Sequence, residues 1–298
     1  MDDRLLVSME EKKQGSGAFY ALRRVIGDAF GHFNNDDGWA MASHLAISAI
    51  MALFPFLIFA TALASFLGAD RFAETVVDLI FETWPDEVAG PIATEVHNVL
   101  GVRRSDVLTF GVLVAAFFAS NGVEALRTSL NRAYRMSEKR SLITLRVQSI
   151  GFVLVATLGF TAVSLLLVVA PVAARIAVSY LDWLRPYMGM ITVWRYTIAV
   201  TVLILSLVVV HLWLPAGRRT LLEILPGLLF TLVGWLVGSS LFAAYLSRFS
   251  SYASTYAGLA SIMIAVVFLY IVSAIFILGA EINAAIMRYR VIRARTAG

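Results

Sequence analysis

YAGLASIMIAVVFLYIVSAIFILGAEINAAI, residues 256–286, decides the fold. No charge interrupts it before Glu281, and it exceeds the about 20 mostly apolar residues that an α-helix needs to cross roughly 30 Å of hydrocarbon. A run this long and apolar reads as a membrane span.

Five further runs of the same kind lie upstream, from about Met41 to Leu67, Asp106 to Asn121, Val147 to Ala170, Thr192 to Leu214 and Leu221 to Leu246. The second is the shortest and continues into the polar sequence GVEALRTSLNRAY, so it reads as one long helix that emerges into the cytoplasm. Composition agrees: 59% of the 298 residues are hydrophobic and 15% charged, against about 45–50% and 25% in soluble domains. No strand alternation occurs, and no soluble domain is left over. The absence of cysteine removes disulfides, thiolate metal sites and cysteine nucleophiles. Residues 1–37 are mixed in charge and lack the pattern of a cleavable signal peptide, so the first span is expected to serve as its own signal. The expected organisation is a cytoplasmic segment (1–38), a six-helix transmembrane domain (39–287) and a basic cytoplasmic tail (288–298).

Orientation follows from Lys and Arg, which stay on the cytoplasmic side of short loops. With both termini inside, the cytoplasmic segments hold 17 of the 24 basic residues. Eight acidic residues lie between Asp70 and Asp106 in the first outer loop. There Phe72, Val76, Leu79 and Ile80, then Ile92, Val96, Val99 and Leu100, recur at helical spacing on either side of Trp84-Pro85, which predicts two short helices. Phe19, Leu22, Ile26, Phe30 and Phe33 share one face of an N-terminal amphipathic helix, with Arg23, Arg24 and Asp28 elsewhere; this reads as an interfacial helix on the cytoplasmic leaflet.

Three segments carry a resemblance. HLAISAIMALFPFLIFATALASFLG (44–68), ALRTSLNRAYRMSEKRS (125–141) and residues 221–286, with Leu-Pro-Gly at 225–227 and Gly-Ala-Glu-x-Asn at 279–283, resemble the BrkB/YihY family of bacterial inner-membrane proteins. They span residues 20 to 290 in the family's order, with Tyr256-Ala257-Gly258 standing where the family more often has Tyr-Gly-Ser. The resemblance implies a six-helix bundle in the bacterial inner membrane, and roles ranging from envelope integrity and serum resistance to lipid or solute transport. A ribonuclease name once attached to the family finds no support here. RNA hydrolysis needs clustered metal ligands or an acid/base pair on a basic, water-facing surface, whereas His32, His44, His97 and His211 are isolated. No catalytic residue, metal, cofactor or nucleic-acid partner is expected.

Several residues could still do more than fold the chain. Pro55, mid-span, removes a backbone hydrogen bond and reads either as a hinge lining a cavity or as a packing kink. Pro226-Gly227 reads as a helix start. Gly234 and Gly238 form a GxxxG face for close packing, within the chain or in a dimer. Glu281 and Asn283, near the cytoplasmic end of the sixth span, are candidates for a substrate or coupling site, because an acidic group in an apolar span is expensive. Glu124, Arg127 and Asn131 share a face of the second helix, and Glu281 with Arg127 is expected as an interhelical ion pair; alternatively, Glu281 reaches interfacial water. Tyr245, Arg248, Tyr252 and Tyr256 form an outer cluster, read as an interfacial belt or as headgroup contacts. The basic loop Arg132, Arg135, Lys139, Arg140 and Arg146 follows from topology, and also offers an anionic-lipid site at the cytoplasmic leaflet.

Two functions remain in contention. One is a transporter or flippase-like protein for a lipid, amphiphile or small solute, driven by an ion gradient or a partner because no phosphate-binding glycine loop is present. The other is a non-transporting scaffold supporting envelope integrity, for which a homo-oligomer is one form. A wet central cavity around Glu281 favours the first, a dry bundle the second. An intramembrane enzyme would need a paired histidine or carboxylate at one depth, and none is evident.

Overall fold

Lipid offers the backbone no hydrogen-bond partner, so apolar runs long enough to cross it fold as helices. The computed structural model describes residues 21, 23–66, 105–164, 182–248 and 257–297, with isolated positions from 166 to 178. The helices are α1 (23–35), α2 (Gly38–Phe66), α3 (Ser105–Ala133), α4 (Leu142–Ser164), α5 (Met188–Trp213), α6 (Leu221–Arg248) and α7 (Ala257–Ala297), with a 3-10 turn over Asp182–Tyr187 before α5. Among the described residues there is no strand. The expected helices of the first outer loop, from Phe72 to Leu100, lie outside the described residues, as do Phe19, Leu22, Tyr252, Tyr256 and the side chain of Arg248.

Among the described residues, five helical stretches are long and apolar enough to cross a membrane: Gly38–Phe59, Leu142–Val163, Trp183–Trp213, Leu221–Ser247 and Ile262–Ile292. The expected second span, Asp106–Asn121, is not among them; α3 does run as one continuous helix to Ala133, as expected, and carries Glu124, Arg127 and Arg132 beyond that span. The surface identifies the solvent. Met51, Leu236 and Leu241 are 72%, 72% and 67% exposed, while Arg127, Glu281 and Asn283 are 2%, 1% and 0% exposed. Large apolar groups face outward and polar ones inward, the reverse of a water-soluble bundle.

α2 lies along α3 and α7, α6 along α7, and α4 against α3, whereas α5 touches α6 and only grazes α4. The tightest contact is between α6 and α7. A Cβ at Gly234 would come within 2.6 Å of Ile275 Cγ2, and one at Gly238 within 3.0 Å of Ile275 Cδ1, so the GxxxG face is occupied inside the chain. Two turns nearer the basic end, a Cβ at Gly227 would run into the Gly279 carbonyl, and one at Gly279 into Thr231. Gly227 is thus more than the helix start read from Pro226-Gly227. Its N–H donates to Asn283 Oδ1 at 2.6 Å, across the two helices.

α1 does not present one uniform apolar face. Val25, Ala29 and Phe33 are buried, while Ile26 and Phe30 remain 54% and 47% exposed. The split arises because α1 docks on α7: Ala29 packs with Ala285, and Asp28 receives two bonds from Arg288 at 2.8 and 3.2 Å. Asp37, at φ 54°, turns the chain into α2, and Gly38 is needed because a Cβ there would meet the Phe33 ring at 2.5 Å. α2 continues through Pro55 as a single helix.

Candidate functional site

The C-terminal ends of α3, α5 and α7, the start of α4 and α6, and α1 gather at one end of the bundle. There α3 stops in a paired turn, with Met136 N–H donating to Asn131 O at 2.8 Å and Arg135 N–H to Arg132 O at 3.0 Å. This closure puts the residue after the cap in the left-handed region, normally glycine's place. Here it is Arg135, at φ 54°. The conformation turns its guanidinium back toward the bundle, where one nitrogen, Nη2, donates to Asp36 at 3.1 Å and to Glu281 at 3.2 Å. Two carboxylates therefore share one cation, and the Glu281 side chain is only 2% exposed.

The expected Glu281–Arg127 pair does not form. Arg127 faces α4 instead: it donates to Glu124 at 2.6 Å, to Ser149 Oγ at 2.7 Å and to the Leu145 carbonyl at 3.2 Å, and Ser149 closes the ring on Glu124 at 2.8 Å. Interfacial water is equally wrong as the sole partner of Glu281, because Arg135 reaches it. Asn283 joins Gly227 to Tyr134, whose hydroxyl accepts its Nδ2–H at 3.2 Å. Asn131 leaves the Glu124–Arg127 group and bridges two loops, donating to Glu138 at 3.1 Å and accepting from Ala216 N–H at 2.6 Å. The five candidates therefore form four separate groups. Tyr245 is 56% exposed at the opposite end of α6.

Between α4 and α5, which scarcely meet, a cleft of about 1200 Å³ opens at the basic end. Gly151, Phe152 and Val155 of α4 and Val209, Leu212 and Trp213 of α5 wall it. A Cβ on Gly151 would meet nothing within 4 Å, so this glycine leaves the space open. Two loops form the mouth, bringing Glu138, Lys139, Arg140, Arg218 and Arg219. Arg140 holds them together with bonds to Glu138 at 2.6 and 2.8 Å, to Gln148 at 2.8 Å and to the Leu214 carbonyl at 3.0 Å. The bonds from Arg140, foremost among several contacts, hold the Glu138 carboxyl down at about 2. Arg219 lies 3.9 Å over the Tyr134 ring. Burial lowers its affinity for the proton, and burial likewise pushes the Tyr134 hydroxyl up to about 12.

Sequence reasoning missed Tyr134, Ser149 and Gln148 altogether and counted Arg219 only as a topological charge. Tyr134 was visible as the tyrosine that ends LNRAY, residues 130–134; no signal marks Ser149 or Gln148.

The family described as Virulence factor BrkB matches residues 29–298. The Putative ribonuclease-like protein YfkH of Bacillus subtilis (strain 168) is 30% identical over 258 residues, covering 86% of this chain and 93% of that protein. A UPF0761 membrane protein of Rhodospirillum centenum (strain ATCC 51521 / SW) is 27% identical over 275 residues, covering 89% of this chain and 58% of that one. A UPF0761 membrane protein of Pseudoalteromonas atlantica (strain T6c / ATCC BAA-1087) is 24% identical over 259 residues, covering 85% and 82%. No solved structure matches the chain. The family match over most of the sequence, joined to five helices able to cross a membrane, makes this chain a membrane protein of the BrkB/UPF0761 family.

Proposed function

We propose that this protein is a transporter or flippase-like protein of the bacterial inner membrane that takes an amphiphile into the cleft between α4 and α5. The observation carrying this reading is the cleft's two-part chemistry: an apolar wall from two membrane-facing helices, closed at one end by a basic mouth. Lipid tails match such a wall and charged headgroups such a mouth. In this arrangement α3 is the sixth span, supported by the outward-facing Leu113, Phe117 and Phe118. The basic end, with both termini, faces the cytoplasm in keeping with the distribution of Lys and Arg. The role is binding and movement without chemistry. Among the described residues no three His, Asp or Glu side chains gather as metal ligands.

A second reading, a non-transporting scaffold supporting the envelope alone or as a homo-oligomer, has its own observation. Glu281, Asn283, Arg127 and Glu124 all bond inside the bundle and none lines the cleft. A mass-spectrometric inventory of amphiphiles retained by the purified protein separates the two. The transporter reading expects enrichment of particular species over bulk membrane, lost when Gly151→Phe fills the cleft. A bulk-like profile unchanged in that variant favours the scaffold.

A further inference from the structure

We infer that the mouth of this cleft is a binding site for the phosphate group of a lipid, with Arg219 as its anchor; the inference rests on the cleft being an amphiphile site and adds the headgroup class.

Arg219 is a cation whose hydrogen bonds are incomplete. One terminal nitrogen, Nη2, donates to the Ala216 carbonyl at 2.9 Å. The other, Nη1, is buried and has no partner, and no carboxylate among the described residues lies within ion-pair distance. A buried donor left unsatisfied on a charged group is costly, so an acceptor that reached this nitrogen would be favoured. Tyr134 supports the guanidinium from one face, and Arg219 lines the mouth of the cleft. The neighbouring Arg140 is different, being committed to Glu138, Gln148 and Leu214.

Charge on the rim points the same way. Lys139 and Arg218 are exposed there and make no ion pair among the described residues. Glu138, the one carboxylate in the lining, is neutralised by Arg140. Three cations thus have no ion-pair partner among the described residues beside an apolar wall, the Glu223 carboxylate acting on Arg219 only from beyond ion-pair distance. A planar guanidinium suits a phosphate fork. Three cations without an ion-pair partner fit a doubly charged phosphomonoester better than a singly charged phosphodiester, and both better than a zwitterion. Phe152, Val155, Leu212 and Trp213 would accept the chain attached to such a headgroup and not a free ion.

The test is native mass spectrometry of the full chain in neutral detergent, titrated separately with phosphatidic acid, phosphatidylglycerol, phosphatidylcholine and inorganic phosphate. The expected order is phosphatidic acid tightest, then phosphatidylglycerol, with phosphatidylcholine weaker than the first by about tenfold or more, the scale of a charge-assisted bond. Arg219→Gln should bring phosphatidic acid close to the phosphatidylcholine level. Should that variant misfold, the exposed pair Lys139→Gln and Arg218→Gln, which removes no side-chain bond among the described residues, should cut the preference several-fold. Inorganic phosphate as tight as phosphatidic acid would overturn the lipid assignment. Equal binding of all three lipids, weakened alike by Gly151→Phe, would overturn the phosphate inference while leaving the cleft reading intact. Lipid binding indifferent to Gly151→Phe would overturn both.

Discussion

Arg135→Met is the perturbation whose consequence the structure specifies most fully. It removes the charged partner of Glu281, whose side chain is 2% exposed, and leaves the carboxylate in an apolar surround. Breaking a buried pair from one side costs about 3–5 kcal/mol, and because the Arg135 side chain is itself 31% exposed we discount this to about 2–3 kcal/mol. Asp36, 32% exposed, can be hydrated and adds little. Glu281→Gln keeps the volume and the Asp36–Arg135 pair, so it should cost only about 1 kcal/mol. The double variant leaves no buried charge, and its loss should fall short of the sum of the singles by about 1–2 kcal/mol. Unfolding by SDS in mixed micelles, followed by circular dichroism, reads all three. Strict additivity, or an Arg135→Met midpoint equal to that of the parent, would refute the reasoning. Arg127→Met supplies the contrast, since it should not couple to Glu281.

Two glycine substitutions should move stability in opposite directions. Gly227→Ala drives a Cβ into the backbone of α7 and should destabilise by about 1–3 kcal/mol despite better helix propensity, whereas Gly151→Ala meets open space and should gain about 0.5–1 kcal/mol; thermal melting in detergent compares them. Glu138 has a folded value of about 2 against an ordinary 4.5, so its contribution is full above pH 4.5 and is lost as pH falls toward 2. Melting temperature should therefore decline across that window, and Glu138→Gln should flatten the decline. Tyr134→Phe removes the Asn283 bond but keeps the ring beneath Arg219, and should cost about 1 kcal/mol in the same melts while leaving lipid preference intact.

The long helices were legible because lipid imposes one requirement, an uninterrupted apolar length, that can be counted along the chain. The burial of Glu281 and Asn283 was legible for the same reason. Their partners were not, because helical spacing puts Glu124, Arg127 and Asn131 on one face of α3 without saying which neighbour that face meets. Arg135, the actual partner, sits past the end of α3 in a left-handed turn, where helical phase no longer applies. The packing role of Gly234 and Gly238 was readable from their spacing, yet the closer approach at Gly227 and Gly279 needs two residues 52 positions apart to meet. The cleft was invisible for a similar reason: its mouth joins residues 136–140 to 215–219.

The central claim is that an amphiphile occupies the space between α4 and α5. A structure determined in lipid nanodiscs tests it most directly. The account predicts chain-shaped density along Phe152, Val155 and Leu212, ending in a headgroup at Arg219. Closure of α4 onto α5, with side chains filling the space and Arg219 Nη1 bonded within the protein, would contradict it.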